Sequence, residues 1–426
     1  MWLSLYTLLY LLALPFALLR QHLRGGREAA WREDRLGRFG RLRDLPRGAL
    51  WIHAVSAGET IAAVPLVKAL RVRHPGVPIL FTVTTASGRD RARRLLGDSV
   101  HLRWLPWDLP WTQRRFIRTA APRLLVILET ELWPNLLAEC RRARVPVLLA
   151  NARLSLRSAK GYARVADLTR DMLAGLDGIA CQDEATAVRF EALGAQRERI
   201  EITGSIKFDP HLPEDLDRRI GQALDRCGVG AARIIVAAST HDDEEVRLIE
   251  GLRAMLEANP GWRLVIVPRH PERFDNVWAL CRVSGLPAAR WSDGPASAGT
   301  RLVLADVMGE LLAIYGIADV VFVGGSLVAR GGHNPIEPAL HGVPIFTGPH
   351  LYNFETIAGE FVASGALEVV PDAVTLAARV TLLLGDEAER RRRGEAGRAV
   401  VRAGRGSLER VADWVSARVP EPPSDA

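Results

Sequence analysis

Apolar positions along the chain fall into three regimes. Residues Met1 to Leu19 (MWLSLYTLLYLLALPFALL) form one run without a charge. At about 1.5 Å per residue a helix of that length nearly spans the hydrocarbon core of a bilayer. Further on, short β-branched and aliphatic runs alternate with amphipathic stretches. Ala49 to Ala54, Pro78 to Thr85, Leu124 to Leu128 and Val145 to Ala150 read as buried strands, and Ile179 to Gln182 and Ile200 to Thr203 continue the series. Segments such as Thr60 to Arg73 lie between them with helical patterning. This β-α-β-α order predicts a parallel sheet covered on both faces. After a polar stretch around Pro210 to Gly230 the pattern restarts with Arg233 to Ala238, Arg263 to Pro268, Arg301 to Leu304, Val320 to Val323 and Val343 to Phe346. The chain is therefore expected to be α/β: an anchor over residues 1–22, a Rossmann-like domain over 23–209 and a second over 210–426. Two such domains facing across a cleft form the architecture called GT-B.

The first run is bounded in an informative way. Arg20, Arg24, Arg27 and Arg32 follow it, no charge precedes it, and no A-x-A-like site follows. A cleavable signal peptide has the opposite charge order, so an uncleaved anchor is expected. The arginines after the run place the body on the cytoplasmic side by the positive-inside rule. Trp2, Tyr6 and Tyr10 sit toward the outer half. Pro15 permits a kink, and the helix either spans the bilayer or lies in its interface. The arginine-rich stretch before Ala49 has room to act as a spacer, which predicts an anchor separable from the soluble core.

Charge narrows the partners without choosing one. The net charge is +7, carried mainly by arginine, and the pI is about 9.7. That balance favours nucleic acid, phosphorylated small molecules or an anionic membrane surface, although a high-GC genome also enriches arginine. Cys140, Cys181, Cys227 and Cys281 are widely spaced and form no C-x-x-C pair, which argues against a zinc site or disulfide framework. No nucleic-acid-binding module is recognisable and few aromatics interleave with the arginine runs, so no nucleic-acid partner is expected.

In doubly wound sheets ligands bind outside the carboxyl ends of strands, and there the sequence is richest in chemistry. His53-Ala-Val-Ser-Ala-Gly-Glu59 follows the first strand. Gly58 suits a tight turn, and Ser56 with Glu59 forms a capping box. Glu59 is equally placed to be a general base, and position alone leaves both roles open. Thr82-Val-Thr-Thr-Ala-Ser-Gly88 either binds an anion or caps a helix. Glu129-Thr-Glu-Leu-Trp-Pro-Asn135 puts two carboxylates and a tryptophan after a wholly apolar strand. Gly204-Ser-Ile-Lys-Phe-Asp209 puts Lys207 at the end of the first sheet, for an ion pair or a substrate anion. In the second half, Val267-Pro-Arg-His-Pro-Glu-Arg273 offers Arg269 and Arg273 to phosphate or carboxylate. Ala238-Ser-Thr-His-Asp-Asp-Glu-Glu245 and Asp306-Val-Met-Gly-Glu310 follow other strands. Last comes Gly324 to Pro338, whose glycines allow a ligand close to the backbone, with a helix from about Pro335 that would present its N-terminus to phosphate and Glu337 placed to accept from a ribose.

As a set, HAVSAGE, TVTTASG, ETELWPN, NARLS, GSIKFD, ASTHDDEE, VPRHPERF, VMGELL and GGSLVARGGHNPIEPA resemble the 3-deoxy-D-manno-octulosonic acid (Kdo) transferase family, in family order from Trp51 to about Phe354. The departures are small: SAGE for SVGE, GSIKFD for GN-x-K, VMGE for TMGE and Ser for Thr in TVTTASG. The resemblance implies a GT-B enzyme without metal or other cofactor. Its donor would be CMP-Kdo and its acceptor the lipid A precursor (lipid IVA), reached at the inner face of the bacterial inner membrane. It implies that Glu59 is the catalytic base, with Glu129 and Lys207 stabilising the transition state. It places CMP against Pro268 and Arg269, Met308, Gly309 and Glu310, and Asn334, Pro335, Ile336 and Glu337. The rival readings are a nucleotide-sugar epimerase of the same fold, which leaves the anchor and acidic loops unexplained, and a non-enzymatic polyanion binder, which explains the charge alone.

Overall fold

The computed structural model describes residues 2–24, 36–40, 44–210, 212–228 and 233–421. The chain divides into two compact units, Met1–Asp209 with Gly406–Ala426, and Pro210–Arg405.

Seven parallel strands build the sheet of the first unit: β1 (Leu50–His53), β2 (Ile79–Val83), β3 (His101–Trp104), β4 (Leu124–Leu128), β5 (Val147–Ala152), β6 (Gly178–Cys181) and β7 (Ile200–Ile202). Their order is β3-β2-β1-β4-β5-β6-β7. Ile52 is in register with Phe81 of β2 on one side and Val126 of β4 on the other. The strand order thus reverses at β1, the switch point at which doubly wound sheets bind ligands. Every residue of β1, β2 and β4 is buried, as expected of parallel strands covered on both faces.

The second unit repeats the plan with β8 (Arg233–Thr240), β9 (Trp262–Pro268), β10 (Ala288–Arg290), β11 (Leu302–Leu304), β12 (Val320–Val323), β13 (Ile345–Thr347) and β14 (Leu367–Val369). The order β10-β11-β9-β8-β12-β13-β14 puts the switch at β8, between β9 and β12. Leu264, Ile266, Val320 and Phe322 share one core with Leu248 and Leu252 of the Glu244–Ala258 helix.

Two features differ from the sequence reading of the domains. The C-terminal helix Ser407–Ser416 belongs to the first unit, so the second does not run to residue 426. Val411, Trp414 and Val415 lie in the same core as Leu50, Ile52 and Val126. The Asp209 carboxylate accepts the N–H groups of Gly406 and Leu408, both at 2.8 Å. Gly204 makes room for this return: its φ is +83°, and a Cβ there would lie 2.2 Å from Ser407 Oγ.

The N-terminal helix Trp2–Arg24 is also no separable appendage. It packs against the Pro134–Ala143 and Ala166–Ala174 helices of the first unit. Trp2 Nε1 donates to Asp167 Oδ2 at 2.9 Å, Tyr6 Oη to Asp108 Oδ2 at 3.0 Å and Thr7 Oγ1 to Asn135 Oδ1 at 3.1 Å. Two of the three aromatics in the outer half of the run, Trp2 and Tyr6, are thereby engaged by the protein. Leu5, Leu8, Leu9, Leu12, Phe16 and Leu19 remain exposed. The helix is long and apolar enough to cross a membrane, which makes it a candidate anchor.

Candidate active site

The loop after β1 enters the Ala57–Arg73 helix through the capping box expected of Ser56 and Glu59. Ser56 Oγ accepts the Glu59 N–H at 3.3 Å and donates to Glu59 Oε1 at 2.7 Å. The Val55 N–H donates to Oε2 at 2.8 Å. The carboxylate is fixed but not exhausted, because each oxygen has two lone pairs. Glu59 is buried, and burial raises its pKa, with a further push from the Glu129 charge. The capping and base readings of Glu59 are therefore compatible. Gly58 needs no special conformation, being in the first helical turn, where a Cβ would make only an ordinary contact with Ser56 Oγ at 3.9 Å.

The second loop works as a cap. Thr85 Oγ1 accepts the Gly88 N–H at 3.1 Å and donates to Val55 O at 2.9 Å, tying this loop to the first. His53 is structural too: its Nδ1 contacts Thr82 O and Oγ1 at 3.0 and 2.9 Å, and burial holds its pKa down to about 4.

Glu129 follows β4 with φ +59°, an uncommon conformation for a residue other than glycine. Its Oε1 meets Lys207 Nζ at 2.8 Å, and Arg153 lies 3.9 Å from Oε2. Burial pushes the Glu129 pKa up, but Lys207 and Arg153 outweigh it and the net shift is downward. Among the described residues no cation pairs with Glu131. Burial, then the charges of Glu59 and Glu129, raise its pKa to about 7. The structure therefore gathers Glu59, Glu129, Glu131 and Lys207 at the switch point of the first sheet, with one carboxylate held ionised and one poised to titrate near neutrality. Arg153 lies in NARLS, and its role was not evident from sequence spacing. Asn135, the last residue of ETELWPN, instead serves architecture. Asp108 accepts the N–H groups of Asn135 and Leu136 at 3.0 and 2.8 Å, capping the Pro134–Ala143 helix.

In the second unit the loops after β8, β9 and β12 converge. Arg269 follows Pro268, the last residue of β9, and its charge acts on both Glu337 and His333. Burial raises the Glu337 pKa, and Asn334 Nδ2 lies 3.4 Å from its Oε1. Met308 is half exposed after β11, and Arg219 holds both Gly309 O, at 2.5 Å, and Glu310 Oε1, at 2.8 Å.

Three expectations for this unit change. The Gly-rich loop offers fewer free donors than its glycines suggested, because Glu244, itself buried, accepts the N–H groups of Gly325, Ser326 and Leu327 at 2.7 to 2.9 Å. The helix after Pro335 is one short turn, Ile336–Leu340, whose first N–H goes to Asn334 Oδ1 at 3.1 Å. Arg273 is bound to Glu245 at 2.6 Å and Asp242 at 2.9 Å, so it braces the fold. The sequence reading passed over His241 and His333, which lie edge to edge with their Nε2 atoms 2.8 Å apart. Both stood inside quoted motifs, but only the fold brings them together.

Two parallel seven-stranded sheets of Rossmann type, one with an acidic cluster and the other with an arginine and histidine cluster at its switch point, make this a protein of GT-B fold. A crystal structure of UDP-GlcNAc 2-epimerase from Neisseria meningitidis superposes with TM-score 0.59 over 86% of this chain and 99% of that one, at 12% identity, a likeness of fold alone. The family described as 3-Deoxy-D-manno-octulosonic-acid transferase (kdotransferase) matches residues 30–210. The 3-deoxy-D-manno-octulosonic acid transferase of Haemophilus influenzae is 39% identical over 97% of this chain and 98% of its own. That of Bordetella pertussis is 39% identical over 91% of this chain and 92% of its own. The chain belongs to the Kdo transferase family and is a glycosyltransferase.

Proposed function

We propose that this enzyme moves Kdo from CMP-Kdo to the lipid A precursor lipid IVA in lipopolysaccharide synthesis, on the cytoplasmic face of the inner membrane. The observation that carries the reading is the cluster of Glu59, Glu129, Glu131 and Lys207 at the switch point of the first sheet. Glu59 takes the proton from the acceptor hydroxyl as its oxygen attacks the anomeric carbon. The bond from that carbon to the phosphate oxygen breaks, its electron pair leaves with CMP, and the configuration inverts. Burial favours Glu59 as base because it raises proton affinity at a fixed carboxylate. Glu129 and Lys207 stabilise charge in the transition state. The leaving phosphate meets Arg269. Pro268, the Met308–Glu310 loop and the Asn334–Glu337 turn complete the nucleotide site. Side-chain cations rather than a metal carry the phosphate charge, so turnover is expected to survive a chelator.

The exposed leucines and Phe16 of the N-terminal helix support contact with lipid, and its seating on the first unit favours a helix lying in the interface over one that crosses the bilayer. The deciding experiment incubates the full-length enzyme with CMP-Kdo and a tetraacylated lipid A precursor and reads the product by mass spectrometry. A Kdo-bearing lipid is expected. Donor consumption without a glycosylated lipid would sink the acceptor assignment.

A further inference from the structure

The loops after β8 and β12 hold an arrangement that phosphate binding alone does not explain. His241 and His333 lie edge to edge, with ring planes 3° apart and centroids 5.1 Å apart, and their Nε2 atoms approach to 2.8 Å. Such a contact needs one N–H and one lone pair, so one ring carries its proton on Nε2 and the other on Nδ1. A further proton can enter on the remaining Nδ1 lone pair and keep the contact, now as a charge-assisted bond. A second would place N–H against N–H and break it. The pair is therefore built to hold one extra proton.

Its surroundings decide when that proton is present. His270 meets His241 edge-on at 5.4 Å. The cations facing the pair are Arg269 and Arg273 from the loop after β9 and Arg330 from the loop after β12. The nearby carboxylates are already engaged. Glu244 accepts the His241 backbone N–H and those of the Gly-rich loop, while Glu245 and Asp242 hold Arg273. Glu337 lies beside Asn334 and Arg269. Burial and these cations keep both imidazoles neutral. Gly325 lets the rings sit here: its φ is +68°, and a Cβ would lie 3.0 Å from His333 and 3.3 Å from His241. An anion entering this pocket offsets the cations' share of that effect and attracts a proton to the pair.

We propose that the His241–His333 pair is a one-proton site that becomes cationic only when a phosphate anion occupies the donor site, so that nucleotide binding is coupled to proton uptake. This rests on the assignment of that site to the donor. It adds a charge that appears with the ligand, and it leaves the empty site less repulsive than a further permanent arginine would.

The test uses the full-length enzyme and the methyl phosphodiester of cytidine 5′-phosphate, whose phosphate carries one fixed negative charge between about pH 5 and 8, as the donor's phosphate does. Calorimetry in two buffers of different ionisation heat counts the protons taken up. Uptake approaching one proton is expected at the acid end. Affinity should weaken as pH rises, by up to about tenfold per unit. His241→Gln and His333→Gln should each abolish the uptake and flatten the profile while still binding the diester. Binding with no uptake and a flat profile would overturn the pair's role and leave the donor site standing. Uptake that persists in both variants would assign the proton elsewhere, for example to His270, and overturn it as well. Absence of diester binding at every pH would remove the donor-site assignment and this inference with it.

Discussion

At the residue scale the first sheet solves an electrostatic problem: several carboxylates share one switch point and take different protonation states. Glu129 is held ionised by Lys207 and Arg153. Glu59→Gln should fold, because a glutamine oxygen can still accept the Val55 N–H or the Ser56 hydroxyl, yet lower single-turnover transfer by about 10²–10⁴ with CMP affinity unchanged. Near-normal turnover would refute the base assignment. Arg269→Ala should weaken CMP binding by about 1.5–3 kcal/mol, the range for a bond to a charged group; unchanged affinity by calorimetry would count against this site. Glu131 makes a prediction about pH. An unperturbed glutamate titrates near 4.5, and here the fold holds it at about 7. The folded chain thus keeps a proton that the unfolded chain releases. The stabilisation is full below pH 4.5 and disappears as pH rises through 7. Glu131→Gln should therefore match the native chain near pH 4 and exceed its stability by roughly 1–3 kcal/mol near pH 8. Denaturant melts at the two pH values read this difference, and an equal effect at both would show that Glu131 does not titrate in between.

At the scale of elements, legibility followed burial. The central strands were plain in the sequence because both faces of a parallel sheet demand continuous apolar runs, as in LLVIL of β4. Strands β3, β10 and β14 were missed. HLRW, AAR and LEV are short edge strands with mixed polarity and little to distinguish them from loops. The motifs showed which loops mattered, but not which charges meet: Arg153 pairs with Glu129, and Glu244 fills the Gly-rich loop, through contacts of long sequence separation. The N-terminal helix shows the same limit. Hydropathy identified it, but the hydrogen bonds of Trp2, Tyr6 and Thr7 were invisible until their partners were placed. Tyr6→Phe should cost about 1–3 kcal/mol, since it removes a donor from the buried Asp108 carboxylate. At roughly 2–4 °C per kcal/mol for a unit of this size, the melting temperature should fall by several degrees. An unchanged midpoint would mean that the helix rests on the first unit without stabilising it. Deleting Met1 to Leu19 should be more damaging still, the reverse of what a free anchor would give.

At the scale of the whole molecule, the chain leaves the first unit at Asp209 and returns at Gly406, where the Asp209 carboxylate receives it. The returning segment brings Val411, Ala412, Trp414 and Val415, all buried, to the core beneath β1 and β4. Each fully buried valine is worth about 1.5–3 kcal/mol. A chain ending at Arg405 should accordingly lose protection in the first unit and keep it in the second, measured by hydrogen exchange on peptides from each. Equal protection in both would show that the C-terminal helix is dispensable. This return path also bears on the order of events at the ribosome. Domains generally fold as units in the order of synthesis, at roughly 5–20 residues per second. Here the sheet that appears first lacks part of its core until the Ser407–Ser416 helix emerges, roughly 10–40 s after Asp209 at those rates. The second unit is complete before then, although its synthesis starts later. The nascent first unit thus waits with the faces of Leu50, Ile52 and Val126 incompletely covered, and a stop codon before Gly406 is felt in the unit whose synthesis began earlier.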